Sequence, residues 1–208
     1  ETAPATFQTA ADNITFATGN IELADGSNLT VDTGATGGNI IIGEIGGTSV
    51  ETVTLDAGTG TTSVGVIGSG TEIGTLSIGS AENGGITLNG AITTDGVITI
   101  DGPITLATAA ITITTADDNI NLQGTVDGGK ALTLVSGSGA VNVDGAIGGS
   151  TALTSLTVNS SGAGTVEINN IGTSSAAGVT GATAIGNANT GTLTPVSYTH
   201  LRAHETNV

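Results

Sequence analysis

The side chains able to do chemistry in this 208-residue chain are nearly all carboxylates: eighteen Asp and Glu stand against two Lys or Arg, two His and no Cys. Both histidines, His200 and His204, fall within the last nine residues, so residues 1–195 hold neither an imidazole base nor a thiol. Attack by a Ser or Cys nucleophile needs a nearby base, and zinc needs His or Cys, so neither chemistry is open to that stretch. A phosphate cradle of the Gly-Lys-Ser kind is also missing, because the lone Lys130 is followed by Ala131.

Two acidic arrangements remain. Asp117 and Asp118 are adjacent, and Asp95 and Asp101 flank a short apolar segment, which by residue type alone is the material of a glycosidase pair. No basic residue stands beside them to bind an acidic polysaccharide, and a non-catalytic chain is expected. Five Asp-Gly pairs occur, at Asp25, Asp95, Asp101, Asp127 and Asp144. Oxygen-rich turns stacked at one corner would make a calcium site. Asp-Gly is equally the favoured turn dipeptide, and the nine-residue Gly-Gly-x-Gly-x-Asp consensus is absent, so a turn role is expected, with diffuse binding of divalent cations to the acidic surface and no dedicated cofactor. A net charge of −16 makes nucleic acid and anionic membranes poor partners. No apolar run of 18 residues is present, so no membrane insertion is expected in this segment. Three Asn-x-Ser/Thr sequons, at Asn13, Asn28 and Asn159, are expected by chance in a chain rich in Asn and Thr.

The elements that carry these residues can be read from composition. Hydrophobic residues make up 37% of the chain but aromatics only 1%, with no Met or Trp and 35 Gly. A core without rings must be thin and regular, and Gly with Thr suits many short strands joined by tight turns. An apolar-polar-apolar triplet recurs throughout, as in Ile14-Thr15-Phe16, Leu29-Thr30-Val31, Val53-Thr54-Leu55, Ile86-Thr87-Leu88, Ile98-Thr99-Ile100, Ile120-Asn121-Leu122 and Val141-Asn142-Val143. Each triplet reads as a very short strand with two residues inward and one outward.

A longer pattern lies above the triplets. An apolar pair, a turn and another apolar residue recur at residues 40–45 (IIIGEI), 86–92 (ITLNGAI), 120–126 (INLQGTV), 141–147 (VNVDGAI) and 166–171 (VEINNI). The residue before the turn is Ile42, Val64, Leu88, Leu122, Val143 and Ile168 in turn, with steps of 22, 24, 34, 21 and 25; a copy at Ile100 divides the long step into 12 and 22. A period in the low twenties with several strands per period is one coil of a parallel β-helix. The expected fold is therefore an all-β, parallel β-solenoid, with coils of about 20–25 residues and about eight coils. Tandem antiparallel β-sandwich domains are the alternative, disfavoured by the short strands and the missing aromatics. Residues 12–172 are assigned to the solenoid, 1–11 to the edge of a fragment, and 173–195 to a weakly periodic continuation or loop.

Residues 196–208 stand apart in composition. The string VSYTHLRAHET at 196–206 holds the only Tyr, both His and Arg202. It resembles a translated transposase-type sequencing adapter, which implies a non-native tail and ends that are truncations of a longer protein.

The texture of residues 118–149 (DNINLQGTVDGGKALTLVSGSGAVNVDGAIGG) resembles exported bacterial proteins of the filamentous haemagglutinin and autotransporter-passenger type. The resemblance implies a right-handed β-helix, the structural shaft of a secreted or cell-surface adhesin, extracellular and associated with the outer membrane. Such a shaft stacks on neighbouring repeats of its parent chain and presents surfaces for host or environmental glycans or proteins. A non-catalytic spacer of a large secreted enzyme or calcium-dependent matrix protein is a second expectation. An ice-binding β-solenoid is a third, and it requires Thr ladders in register on one face, whereas Thr-x-Thr pairs do not recur at a fixed place in the sequence.

Overall fold

The structure, a computed structural model, describes residues 4–80, 84–108, 110–159, 164–187 and 190–195. The tail at 196–208 lies outside the described residues. Among those described there is no helix, and every strand pairing is parallel. The chain winds as a β-solenoid of about seven turns, which excludes the sandwich alternative.

Three ladders, here called faces A, B and C, run along the solenoid. On face A successive coils pair Ala5, Leu29, Val53, Leu76, Ile98, Ile120, Val141, Val166 and Leu193. Face B pairs Ile14, Ile40, Thr62, Ile86, Ile104, Val126, Ile147 and Ile171. Face C pairs Ile21, Ile45, Ile67, Ile92, Ile113, Leu134, Val158 and Ile185. The ladders reach residues 183–185 and 193–195, so the weakly periodic segment continues the solenoid.

Alternation along each short strand explains the core. In Leu29–Asp32 and Ile98–Asp101 the first and third residues point inward and are buried, while the second points out. Stacked Ile, Val and Leu fill the lumen with side chains of nearly one size, so no large ring is needed. The two Phe residues lie on the first rung, where Phe7 and Phe16 meet edge to face with ring centroids 5.0 Å apart.

Three corner devices recur. A glycine hinge lets consecutive backbones touch: a Cβ on Gly65 would overlap the Gly43 carbonyl oxygen, and one on Gly124 would overlap that of Gly102. A wider turn is closed by a buried hydroxyl, as where Thr33 Oγ1 donates to the Gly38 carbonyl at 2.9 Å and Ser136 Oγ to that of Gly139 at 2.8 Å. An Asn side chain then clips the next coil: Asn39 Oδ1 accepts from the Thr61 amide at 2.9 Å, and Asn119 Oδ1 from the Ala140 amide at 2.8 Å.

The hinge and the wide turn change corner together midway along the molecule. In the early coils the hinge, at Gly43 and Gly65, joins faces B and C, and the wide turn joins A to B. In the late coils the hinge, at Gly102, Gly124 and Gly145, joins A and B, and the wide turn joins C to A. The strand Ile92–Thr94 belongs to both arrangements: it follows the Gly90 hinge, and its Thr94 Oγ1 closes the next turn on the Gly96 carbonyl at 2.5 Å. The 12-residue step in the sequence is this overlap. Leu88 consequently stacks on Leu106 of face B, while Ile100, Leu122 and Val143 stack on face A.

Thr62 breaks the aliphatic run of face B. Its hydroxyl is buried without a hydrogen-bond partner between Ile40 and Ile86. Thr62→Val is therefore expected to stabilise the fold by about 1 kcal/mol, raising Tm by about 2–4 °C in a thermal melt. Gly124→Ala is expected to cost about 1–3 kcal/mol in urea unfolding, because the added methyl must displace backbone on the preceding coil.

Candidate functional surfaces

Winding distributes the polar residues over three outward faces and three corners. On face A the outward column reads Thr6, Thr30, Thr54, Ser77, Thr99, Asn121, Asn142, Glu167 and Thr194. Its first five rungs are an in-register hydroxyl ladder, and a second hydroxyl pair lies beside it where Thr75 Oγ1 donates to Thr52 Oγ1 at 3.1 Å. Beyond the change of corner, a ladder of Thr112, Thr133 and Thr157 stands on face C instead. The expectation that Thr residues lack a regular array is thus corrected. Short arrays exist, but they are spread over the faces, with Ser63, Thr87 and Thr105 in register on face B as well, so a fixed sequence interval does not reveal them.

The five Asp-Gly carboxylates do not gather. Asp101 and Asp144 share the corner after face A, but Gln123 occupies the rung between them. Asp127 ends the face B strand, and its Oδ1 accepts from the amides of Ser150 and Thr151 of the following coil, each at 2.8 Å. Asp25 and Asp95 lie in turns after face C, three coils apart. Stacking them at one corner would require every Asp-Gly turn to fall at the same point of the coil, and the overlap at Ile92–Thr94 prevents that. Among the described residues no three acidic, His or Cys side chains are placed to hold a metal ion.

Of the two acidic arrangements, Asp95 lies in the turn that precedes the face A strand Ile98–Asp101, and Asp101 ends that strand. The strand from Ile98 to Asp101 alone spans about 10 Å, and Asp95 stands in the turn before its start, so the two do not share one corner as a glycosidase pair facing one substrate bond would. Asp117 braces the turn of the next coil. Its Oδ1 accepts from the Ser138 amide at 2.9 Å, and that bond holds its carboxyl below the usual range. Asn13 and Asn28 also work within the fold, accepting from the amides of Asn39 and Thr52 at 2.8 Å each.

Sequence reasoning missed one chemically distinct residue. Glu51 is completely covered, yet charged. It precedes the strand Thr52–Asp56 and takes the inward phase of the alternation that continues through Val53 and Leu55. An acid in that phase was the available signal. The side chain lies just under the surface, capped by its own loop: the Thr48 amide donates to Oε2 at 2.7 Å, the Thr48 hydroxyl to Oε1, and the Val50 amide to Oε2 at 3.3 Å. Burial pushes the Glu51 carboxyl up, but the bonds from the Thr48 hydroxyl and from the amides of Thr48, Glu51 and Val50 together outweigh it and hold the group below its ordinary 4.5.

Comparison of the chain with protein-family models, with curated proteins and with solved structures found no match.

A depressed folded-state value gives Glu51 a stabilising contribution that is complete above the unfolded-state value near 4.5 and is lost as pH falls through the lower folded value. Glu51→Gln is therefore expected to cost about 1–2 kcal/mol at pH 7 in urea unfolding. The difference from the wild type should shrink steadily below about pH 4.5.

Proposed function

We propose that this chain is a non-catalytic shaft segment of a secreted or surface-displayed bacterial adhesin, outside the cell and associated with the outer membrane. The observation that carries the reading is the set of three aliphatic ladders that continue from the first described coil to the last, with short polar residues on every outward column. Such a body resists bending and presents one chemistry repeatedly at rung spacings of about 4.8 Å, which favours weak, multivalent contact with surface glycans or proteins.

The test is adhesion at two valencies. The purified chain is expected to bind immobilised cell-surface glycans or proteins weakly as a monomer and at least a hundredfold more tightly when clustered on beads. A tight monovalent ligand, or turnover of a polysaccharide, would overturn the shaft reading.

The hydroxyl ladder at Thr6, Thr30, Thr54, Ser77 and Thr99 favours ice binding as a second reading, because a flat, evenly spaced set of hydroxyls and methyls suits an ordered water lattice. Thermal hysteresis separates the two. The shaft reading expects none; hysteresis abolished by Thr54→Lys would establish the second.

A further inference from the structure

We propose that Glu51 is an acid-sensitive latch: as a carboxylate it holds the loop of residues 47–50 closed over Ile73, and on protonation that loop is released while the ladders stay intact. The loop is short and strained. Ser49 has φ +76°, the one positive φ outside Gly among the described residues, a conformation that costs about 1–2 kcal/mol for a residue with a Cβ. Val50 is 58% exposed, the highest value among the large hydrophobics described. Neither feature favours the closed loop, so other contacts must hold it.

Those contacts converge on one side chain. Apart from its own amide, Glu51 takes all the hydrogen bonds described above from Thr48 and Val50, whereas the amides of Gly47 and Ser49 reach the following coil, donating to the carbonyls of Thr71 at 3.3 Å and Glu72 at 2.8 Å. Gly47 is wedged between the carboxylate and the core: a Cβ there would lie 2.5 Å from Glu51 Oε2 and 2.8 Å from Ile73 Cγ2. The carboxylate thus clamps the lid over a fully buried Ile73.

Protonation converts one acceptor oxygen into a donor that faces amide donors, and it replaces charge-assisted bonds with weaker neutral ones. The other charged groups of this region are acidic as well. Glu22 of the preceding coil lies against Gly46, Asp25 stands in that coil's turn, and Glu72 is on the coil below. No cation among the described residues of these coils replaces the lost bonds. The ladders carry no titratable inward group in the following three coils, and acid lowers the net charge of −16, so the core has no reason to loosen with the loop.

Amide exchange followed by NMR from pH 7 to pH 3, expressed as protection factors, tests the latch on the intact chain. Protection at Thr48 and Val50 is expected to fall at least tenfold by pH 3 while Ile78 and Ile100 keep theirs. Glu51→Gln should show at pH 7 the low loop protection that the wild type reaches at pH 3. Loop protection unchanged at pH 3, or lost in step with Ile78 and Ile100, overturns the proposal. So does wild-type protection in Glu51→Gln at neutral pH; should that variant not fold, the wild-type titration decides alone.

Discussion

Everything in this molecule depends on keeping each inward aliphatic side chain directly over its counterpart one coil away. Parallel strands at fixed spacing make that stacking continuous, and the core becomes three ladders in contact along a narrow lumen. The constraint sets the composition. Side chains must be of similar size, so Ile, Val and Leu replace rings, and corners must let backbone lie on backbone, so Gly recurs where a Cβ would strike the carbonyl above. It also disciplines the polar groups. Thr33, Thr94, Thr115 and Ser136 can be buried because each hydroxyl closes its own turn on a carbonyl, whereas the hydroxyl of Thr62 has nothing to bond.

The same stacking permits the repeat to change phase without breaking the solenoid. Ile92–Thr94 ends one motif and begins the next, so the glycine hinge and the hydroxyl-closed turn both move back by one corner while the ladders run on. The backbone tolerates this because each face requires only that its inward residues stack on those of the neighbouring coils, whichever part of the motif supplies them. The surface registers the change. Outward hydroxyls stand on face A in the first coils, on face B at Ser63, Thr87 and Thr105, and on face C in the later coils, and any partner that reads hydroxyl spacing meets several short arrays in place of one long one.

Much of this architecture is legible in the sequence. The triplets at Leu29-Thr30-Val31 and Ile98-Thr99-Ile100 are strands with the expected inward and outward residues, and the period near 22 is one coil. The irregular step from Leu88 to Ile100 is visible, but its meaning is not, because a one-dimensional interval does not say on which face a strand lands. The Asp-Gly pairs read as turns, and that is where Asp25 and Asp95 lie, whereas Asp144 sits within the strand Val141–Ile147; their failure to align follows from the phase change. Glu51 is hidden for a different reason. Its burial depends on a loop that folds back to supply its donors, and no short-range pattern announces such a contact.

Cysteine pairs introduced into this cysteine-free chain would test the register most directly. Thr87 faces outward on face B beside Thr105, one rung away, whereas a repeat of uniform phase would set Thr87 beside Asn121. Adjacent rungs lie within the Cα separation of about 4.4–6.8 Å that a disulfide spans. Under mild oxidation the Thr87→Cys/Thr105→Cys protein is expected to form an intramolecular disulfide in high yield, and the Thr87→Cys/Asn121→Cys protein is not. The opposite pattern would contradict the phase change and, with it, the ladder register from which the placement of every outward residue follows.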